Sequence, residues 1–131
     1  MNAFHPHYLA LGGAEGVRAL VDRFYDLMDT APEAVHVRAL HATSLKVSRE
    51  KLFLFMSGWT GGPPLYIEQY GHPRLRMRHF PFTIGVQERD EWVWCMDRAL
   101  DAHEVPAEVK DDLRAKLHAL ADHMVNQPPG G

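Results

Sequence analysis

Apolar residues recur at steps of three and four along most of this chain, and that spacing constrains its fold more than any other feature. Residues so spaced lie on one face of an α-helix, because the helix has about 3.6 residues per turn. No window alternates apolar and polar residues as a strand would, so the sequence predicts an all-α protein. The first helical segment, 15–28, carries on one face Val17, Leu20, Val21, Phe24, Tyr25 and Met28.

Prolines, glycines and a serine mark where the other predicted helices begin and end. Ser48 is a predicted N-cap, with Glu50 in the first turn, for a helix that should stop at the Gly-Gly-Pro-Pro sequence of 61–64. Residues 65–70 are predicted to connect this helix to the short helix that carries His79. Further helices are predicted from Pro32 to His41, over 87–103, and from Pro106 through Val125. We expect residues 1–7 and 127–131 to be flexible termini.

Length and composition fit one domain spanning 1–131. A chain of 131 residues with 46% hydrophobic content can bury about two thirds of its unfolded surface and enclose a ligand. The net charge of −3 argues against a nucleic-acid partner, which would require a long basic stripe.

The number of cysteines and the length of the apolar runs indicate where the protein is expected to reside. Cys95 is the single cysteine, so an intrachain disulfide is excluded and a reducing interior is expected. No run approaches eighteen apolar residues, and the N-terminus lacks a basic region followed by an apolar one. We therefore expect a soluble, cytoplasmic protein without a membrane span.

The segment 71–85, GHPRLRMRHFPFTIG, places one histidine between two prolines. Pro73 suits the first turn of a short helix, and Pro81 should end that helix just past His79. Such a setting can hold a metal ligand rigidly, although a core histidine bonded to a backbone carbonyl is the alternative. Apolar residues share the face of the histidine or follow it, and arginines are interleaved with them: Leu75, Phe80, Phe82 and Ile84, with Arg74, Arg76 and Arg78.

Several separated motifs, all in one order, extend this pattern over nearly the whole chain. They are Gly12-Gly13, Arg23-Phe24-Tyr25, Gly61-Gly62-Pro63, residues 71–79, Pro81-Phe82, and the run from Glu88 to Trp92 followed by Cys95-Met96. Together they resemble the truncated haemoglobins of group II, from about Tyr8 to Asn126. The resemblance implies a two-over-two helical sandwich around haem b, the iron complex of protoporphyrin IX.

The resemblance also implies roles for individual positions. His79 falls where the family places its proximal iron ligand, Tyr25 where it places a distal hydroxyl donor, and Trp92 where group II places an indole over the ligand. His41 falls at a distal position often held by an aromatic residue, so this donor becomes titratable. Ser48 falls at the gate position that carries histidine in ordinary globins, and it leaves a path open from solvent. For Tyr25 and Trp92, plain aromatic packing is the alternative.

A second group of residues is expected around the haem itself. Arg78, Lys51 and the Tyr66 hydroxyl form a cationic edge for the two propionates, although Lys51 can equally be solvated and Tyr66 bonded elsewhere. The porphyrin walls are predicted to be Leu52, Phe55, Leu75, Phe82, Ile84 and Met96, of which the first two can equally be ordinary core.

Three functions are compatible with these residues. The first is a haem protein that reversibly binds O2, CO and NO at a penta-coordinate iron, with Tyr25 and Trp92 stabilising the ligand. The second is a haem redox enzyme, peroxidase-like or converting O2 and NO to nitrate, which would need an external reductase. The third is a haem-free helical interaction module. No dedicated catalytic residue is predicted, and monomer and homodimer both remain open.

Overall fold

The computed structural model describes residues 6–126, and their regular structure is helical throughout. The prediction of flexible termini falls mainly on 1–5 and 127–131, which lie outside the described residues. His7, by contrast, lies within the first helix, with Nε2 2.5 Å from Asp112 Oδ2. In chain order the helices are α1 (Pro6–Ala10), α2 (Gly13–Thr30), a 3-10 turn (Pro32–Ala34), α3 (Val35–Ala39), α4 (Lys46–Trp59), α5 (Leu65–Tyr70), α6 (Leu75–His79), α7 (Val86–Asp101) and α8 (Ala107–Met124).

The turn between α1 and α2 depends on two glycines. Gly12 has φ 106° and lies in the left-handed region, where a side chain would be strained. A Cβ on Gly16 would lie 1.7 Å from the carbonyl oxygen of Leu11. The close approach allowed by Gly16 brings α1 against the first turn of α2.

Two pairs of long helices enclose the core. Helix α2 packs against α4, helix α7 packs against α8, and α2 also packs against α7. Every apolar residue of the stripe predicted for α2 is buried in this core. None of the helices formed by residues 6–126 is both long and apolar enough to cross a membrane.

The start of α4 differs from the prediction. The helix begins at Lys46, so Ser48 lies in its first turn and the prediction of Ser48 as N-cap is wrong. Ser44 is the serine that acts at this end, because its Oγ accepts a hydrogen bond from the Lys46 N–H at 3.3 Å. The predicted stop at 61–64 is confirmed, since α4 ends at Trp59.

The segment before the candidate ligand His79 also differs. Residues 65–70 form helix α5 and are not an irregular connection. Pro73 precedes α6, so its predicted place in the first turn is wrong. Arg74 lies between them at φ 46° and ψ 54° and accounts for this, because a left-handed residue cannot continue a helix from Pro73. The predicted end of the helix near Pro81 is confirmed.

Candidate functional site

His79 is the last residue of α6, and its side chain is half-buried. Its Nδ1 lies 2.6 Å from the carbonyl oxygen of Leu75, one turn earlier. Because a carbonyl oxygen only accepts hydrogen bonds, Nδ1 donates, and Nε2 of the neutral ring keeps its lone pair. The imidazole is thus held in the tautomer that a metal ligand requires. The Phe82 ring lies 6.4 Å from the His79 ring, centroid to centroid.

Asn126, which the sequence analysis did not single out, holds the chain that follows His79. Its Nδ2 donates to the carbonyl oxygens of His79 at 3.2 Å and of Phe82 at 2.8 Å. Its Oδ1 accepts from the Ile84 N–H at 2.9 Å. These bonds span 42 to 47 residues of chain, so no local pattern could have revealed them.

Four aromatic rings form a second cluster. Two belong to α2, one belongs to α7, and the fourth is the imidazole of His41, just past the end of α3. The Phe24 ring lies 4.9 Å from the Tyr25 ring and 5.2 Å from that of Trp92, both in edge-on contacts. The Tyr25 ring lies 6.0 Å from the His41 ring, at 78° between planes. The structure therefore brings the predicted distal residues Tyr25, His41 and Trp92 together, with the buried Phe24 between two of them.

The electrostatics of this cluster define which groups donate. Burial raises the pKa of Tyr25 well above its usual value, opposed by the Arg49 guanidinium 5.9 Å from the ring, so its hydroxyl stays protonated. Burial is the largest cause of a lowered pKa at His41, and the charge of Arg38 acts in the same direction, against the hydrogen bond to Val37. His41 is therefore neutral near pH 7.

The tautomer of His41 follows from its hydrogen bond. Its Nδ1 lies 2.9 Å from the carbonyl oxygen of Val37 and must donate to it. The Nε2 atom of the neutral ring is then an acceptor. For His41 the geometry therefore favours accepting a proton or hydrogen bond through Nε2 over donating one.

Ser48, the predicted gate residue, lies in the first turn of α4. Its side chain is half-buried, and within the described residues it makes no hydrogen bond. The neighbouring Arg49 instead joins α4 to α2, because its guanidinium bonds Asp22 Oδ1 at 3.2 Å and Asp26 Oδ1 at 2.7 Å. The gate role of Ser48 stays a prediction.

The residues predicted to bind propionates lie around α5. The Tyr66 side chain is buried, and the Arg78 guanidinium lies 6.0 Å from its ring centroid. The Lys51 ammonium lies 5.4 Å from the ring of Tyr70, which itself lies 5.0 Å from that of Tyr66. The structure thus connects Arg78, Tyr66 and Lys51 through Tyr70, a residue that the sequence analysis did not consider.

The predicted wall residues differ in burial. Met96 is fully buried in the main core, and Ile84 is buried outside that cluster. The rest are half-buried or exposed: Leu52 and Phe55 pack against the core, Leu75 is half-buried, and Phe82 is 45% exposed.

Comparison with known proteins assigns the chain to a family. The family model described as bacterial-like globin matches residues 7–126. The chain belongs to the bacterial-like globin family. Among its relatives is the group 2 truncated hemoglobin YjbI of Bacillus subtilis (strain 168), 37% identical over 125 residues, which span 95% of this chain and 92% of that protein.

Solved structures show the same relationship. This globin is similar to a group II 2-on-2 hemoglobin from Agrobacterium tumefaciens, with TM-score 0.91, 48% identity, and coverage of 93% of this chain and 95% of the other. It is also similar to a truncated oxygen-avid haemoglobin from Bacillus subtilis, with TM-score 0.84, 37% identity, and coverage of 95% and 100%. The predictions of an all-α fold, a two-over-two sandwich and a group II truncated haemoglobin are confirmed.

Haem binding is implied by membership of the globins, and the residues of this chain fit the group. Porphyrin supplies four nitrogen ligands to iron, so the protein needs to add one imidazole with a free lone pair. His79 Nε2 meets that need because Nδ1 is engaged by Leu75. The exposed ring of Phe82 beside it, together with the cationic edge at Arg78, matches a flat apolar group that bears carboxylates.

Proposed function

We propose that this globin reversibly binds O2, CO and NO at the iron of haem b, with His79 Nε2 as the fifth ligand and the sixth position open. When bound, haem supplies the iron that takes up the diatomic ligand. The hydrogen bond between His79 Nδ1 and the Leu75 carbonyl, 2.6 Å long, carries this proposal. It fixes the ring orientation and increases the basicity of Nε2.

The distal side chains stabilise the bound ligand. Tyr25 Oη and the indole N–H of Trp92 donate hydrogen bonds to it, whereas Nε2 of the neutral His41 is an acceptor and donates nothing to the ligand. Two donors at about 1.5 kcal/mol each slow oxygen release by roughly a hundredfold. The similarity to an oxygen-avid haemoglobin supports tight binding. Slow release favours storage, sensing or chemistry on the ligand over bulk oxygen transport.

The edge of the site orients the haem through its two propionates. Arg78 and Lys51 provide positive charge, and Tyr66 provides a hydroxyl donor. Arg78 has its Nε engaged by the Pro73 carbonyl at 2.7 Å, which leaves its terminal nitrogens for a carboxylate. The half-buried Leu75, the buried Ile84 and Phe82 then contact the porphyrin faces.

We propose the cellular setting from the chemistry of haem iron and from the single cysteine. Oxygen binding requires ferrous iron, so an external reductase is needed to keep the protein functional. The single cysteine, Cys95, is buried, and burial raises the pKa of its thiol to about 11, so it is not a reactive thiolate. We place the protein in the cytoplasm, as a monomer or a homodimer.

A redox reaction at the same site is the second candidate. The observation that favours it is the neutral His41, whose Nε2 can accept a proton from a peroxide beside the Tyr25 hydroxyl. Steady-state turnover with hydrogen peroxide tests this, with His41→Phe as the variant. Turnover no faster than that of free haem would reject a peroxidase-like function.

The decisive experiment compares optical spectra of the ferric, ferrous and CO-bound states. We expect wild type to show a five-coordinate ferrous spectrum and a CO complex, and His79→Ala to lose both. His123→Ala is the matched control, because that histidine is exposed and should leave the spectra unchanged. An absent Soret band after haem addition to wild type, or a wild-type spectrum in His79→Ala, would contradict the proposal.

A further inference from the structure

Helix α3 carries the distal His41 just past its C-terminal end, yet it is too short to fix that ring by itself. It has five residues and no side-chain N-cap. Isolated helices of this length are unstable in water, since few hydrogen bonds offset the cost of ordering the chain. The position of His41 therefore depends on what holds α3 against its neighbours.

Glu91 of α7 makes the hydrogen bonds that hold the start of α3. Its Oε1 accepts from the backbone N–H groups of His36 at 2.7 Å and of Val37 at 2.9 Å, and its Oε2 lies 2.7 Å from His36 Nδ1. The Glu91 side chain is only 11% exposed. Hydrogen bonds from N–H groups to a carboxylate in such a setting are stronger than neutral ones.

The connection continues from Val37 into the distal cluster. Val37 donates its N–H to Glu91, and its carbonyl accepts from His41 Nδ1 at 2.9 Å. Val37 is 4% exposed and cannot shift without disturbing the core. His41 in turn lies edge-on to Tyr25. Glu91 also directly precedes Trp92, so one carboxylate links the helix of Trp92 to the segment of His41.

The opposite end of α3 is held by a cation. Arg38 donates to Asp29 Oδ1 on α2 at 2.9 Å and to the carbonyl oxygens of Ala42 and Thr43 at 2.9 and 2.7 Å. An anion at the N-terminal end and a cation at the C-terminal end both match the helix dipole. With both ends held, removal of Glu91 should let α3 turn about its Arg38 end and should not unfold it.

We propose that Glu91 is a positioning residue of the distal pocket: it fixes the His41 ring relative to Tyr25 and thereby sets the rate at which a bound diatomic ligand leaves. The predicted effect on the rate of ligand release rests on the proposed function. It also predicts a change at the His41 ring that can be measured without any ligand.

The test compares Glu91→Ala with Asp97→Ala. Asp97 lies on the same helix and also holds a histidine of a neighbouring helix, with Oδ1 2.8 Å from His118 Nε2, but it does so on α8. We expect Glu91→Ala to change the oxygen release rate by about three- to tenfold and to shift the C–O stretching frequency of the CO complex. Asp97→Ala should leave both as in wild type.

A double-mutant cycle identifies the route of the effect. If Glu91 acts through His41, Glu91→Ala should have no further effect on release in a His41→Phe background. Equal effects of Glu91→Ala and Asp97→Ala, or a full effect of Glu91→Ala without His41, would overturn the proposal.

Two further measurements separate this proposal from failure to fold or to bind haem. Glu91→Gln keeps an oxygen that accepts both backbone N–H groups and should behave as wild type, whereas the shorter Glu91→Asp should not; if both behave as wild type, the proposal fails. In NMR spectra, Glu91→Ala should shift the ring resonances of His41 and weaken its ring-to-ring contact with Tyr25, and Asp97→Ala should not. Unchanged His41 ring resonances in Glu91→Ala would overturn the proposal even if the globin bound no ligand.

Discussion

The two sides of the site are held in place by different means. On the proximal side, none of the residues 71–83 is buried, and His79 stands on a helix of five residues. On the distal side, Tyr25 is 6% exposed and Phe24 fully buried, on a helix of eighteen residues. Core packing therefore fixes the distal donors, whereas hydrogen bonds to the Leu75 carbonyl and from the Asn126 amide fix the proximal ligand. The backbone on the proximal side should therefore shift more easily than the backbone on the distal side.

The largest expected difference between the two sides is the loss in the free energy of unfolding when one phenyl ring is removed from each. We expect Phe24→Ala to lower the free energy of unfolding by about 3–5 kcal/mol, because it leaves a cavity among Tyr25 and Trp92. Phe80→Ala, at a residue 59% exposed, should cost less than about 1 kcal/mol. Urea unfolding of the haem-loaded proteins measures both. Similar losses would mean that the proximal segment is as tightly packed as the core.

The distal donors should control the rate at which the bound diatomic ligand is released. Tyr25→Phe and Trp92→Phe should each speed oxygen release about tenfold, since each loses one hydrogen bond of about 1.4 kcal/mol. Stopped-flow displacement of oxygen by CO gives the rates. Trp94→Phe is the control, because that indole packs against Arg98, 4.0 Å away, on the same helix. Release rates that stay at the wild-type value would assign Tyr25 and Trp92 to packing alone.

A smaller, local effect is expected on the proximal side. Asn126→Ala should lower the free energy of opening the segment after His79 by about 1 kcal/mol, because two carbonyls and the Ile84 N–H each lose their hydrogen bond to the Asn126 side chain. Hydrogen exchange of the Ile84 amide should then quicken roughly fivefold. The Val37 amide on the distal side should exchange as in wild type. Equal changes at both amides would indicate global destabilisation instead.

The smallest expected effect is on the pH dependence of stability. The pKa of His41 is lowered in the folded state, so between the ordinary value near 6.5 and the folded value the unfolded chain binds more protons. Stability should therefore fall as the pH drops below about 7, until it passes the folded pKa. His41→Phe should lose this part of the slope. Identical slopes of the unfolding free energy between pH 7 and 5 in both proteins would contradict the lowered pKa.

Much of the fold was accessible from local patterns. The apolar stripe of 15–28 predicted a helix observed at Gly13–Thr30, and 87–103 predicted one observed at Val86–Asp101. The predictions failed where two local signals competed. Ser48 fits an N-cap pattern, but the helix begins two residues earlier, beside Ser44, and the left-handed Arg74 keeps Pro73 out of the first turn that its sequence predicts. Short helices such as α5 carry too few turns for periodicity to identify them.

The sequence alone determined the helical class, the order of the motifs and, through them, the residues of the candidate site. The structure added the tautomers of both site histidines, because in it His79 and His41 each donate Nδ1–H to a carbonyl four residues earlier. Only the tertiary structure decided the burial that lowers the pKa of His41 and the distant side chains that hold each segment. Glu91 and Asn126 act across 42 to 55 residues of chain, a separation at which local periodicity and capping patterns carry no information about contacts.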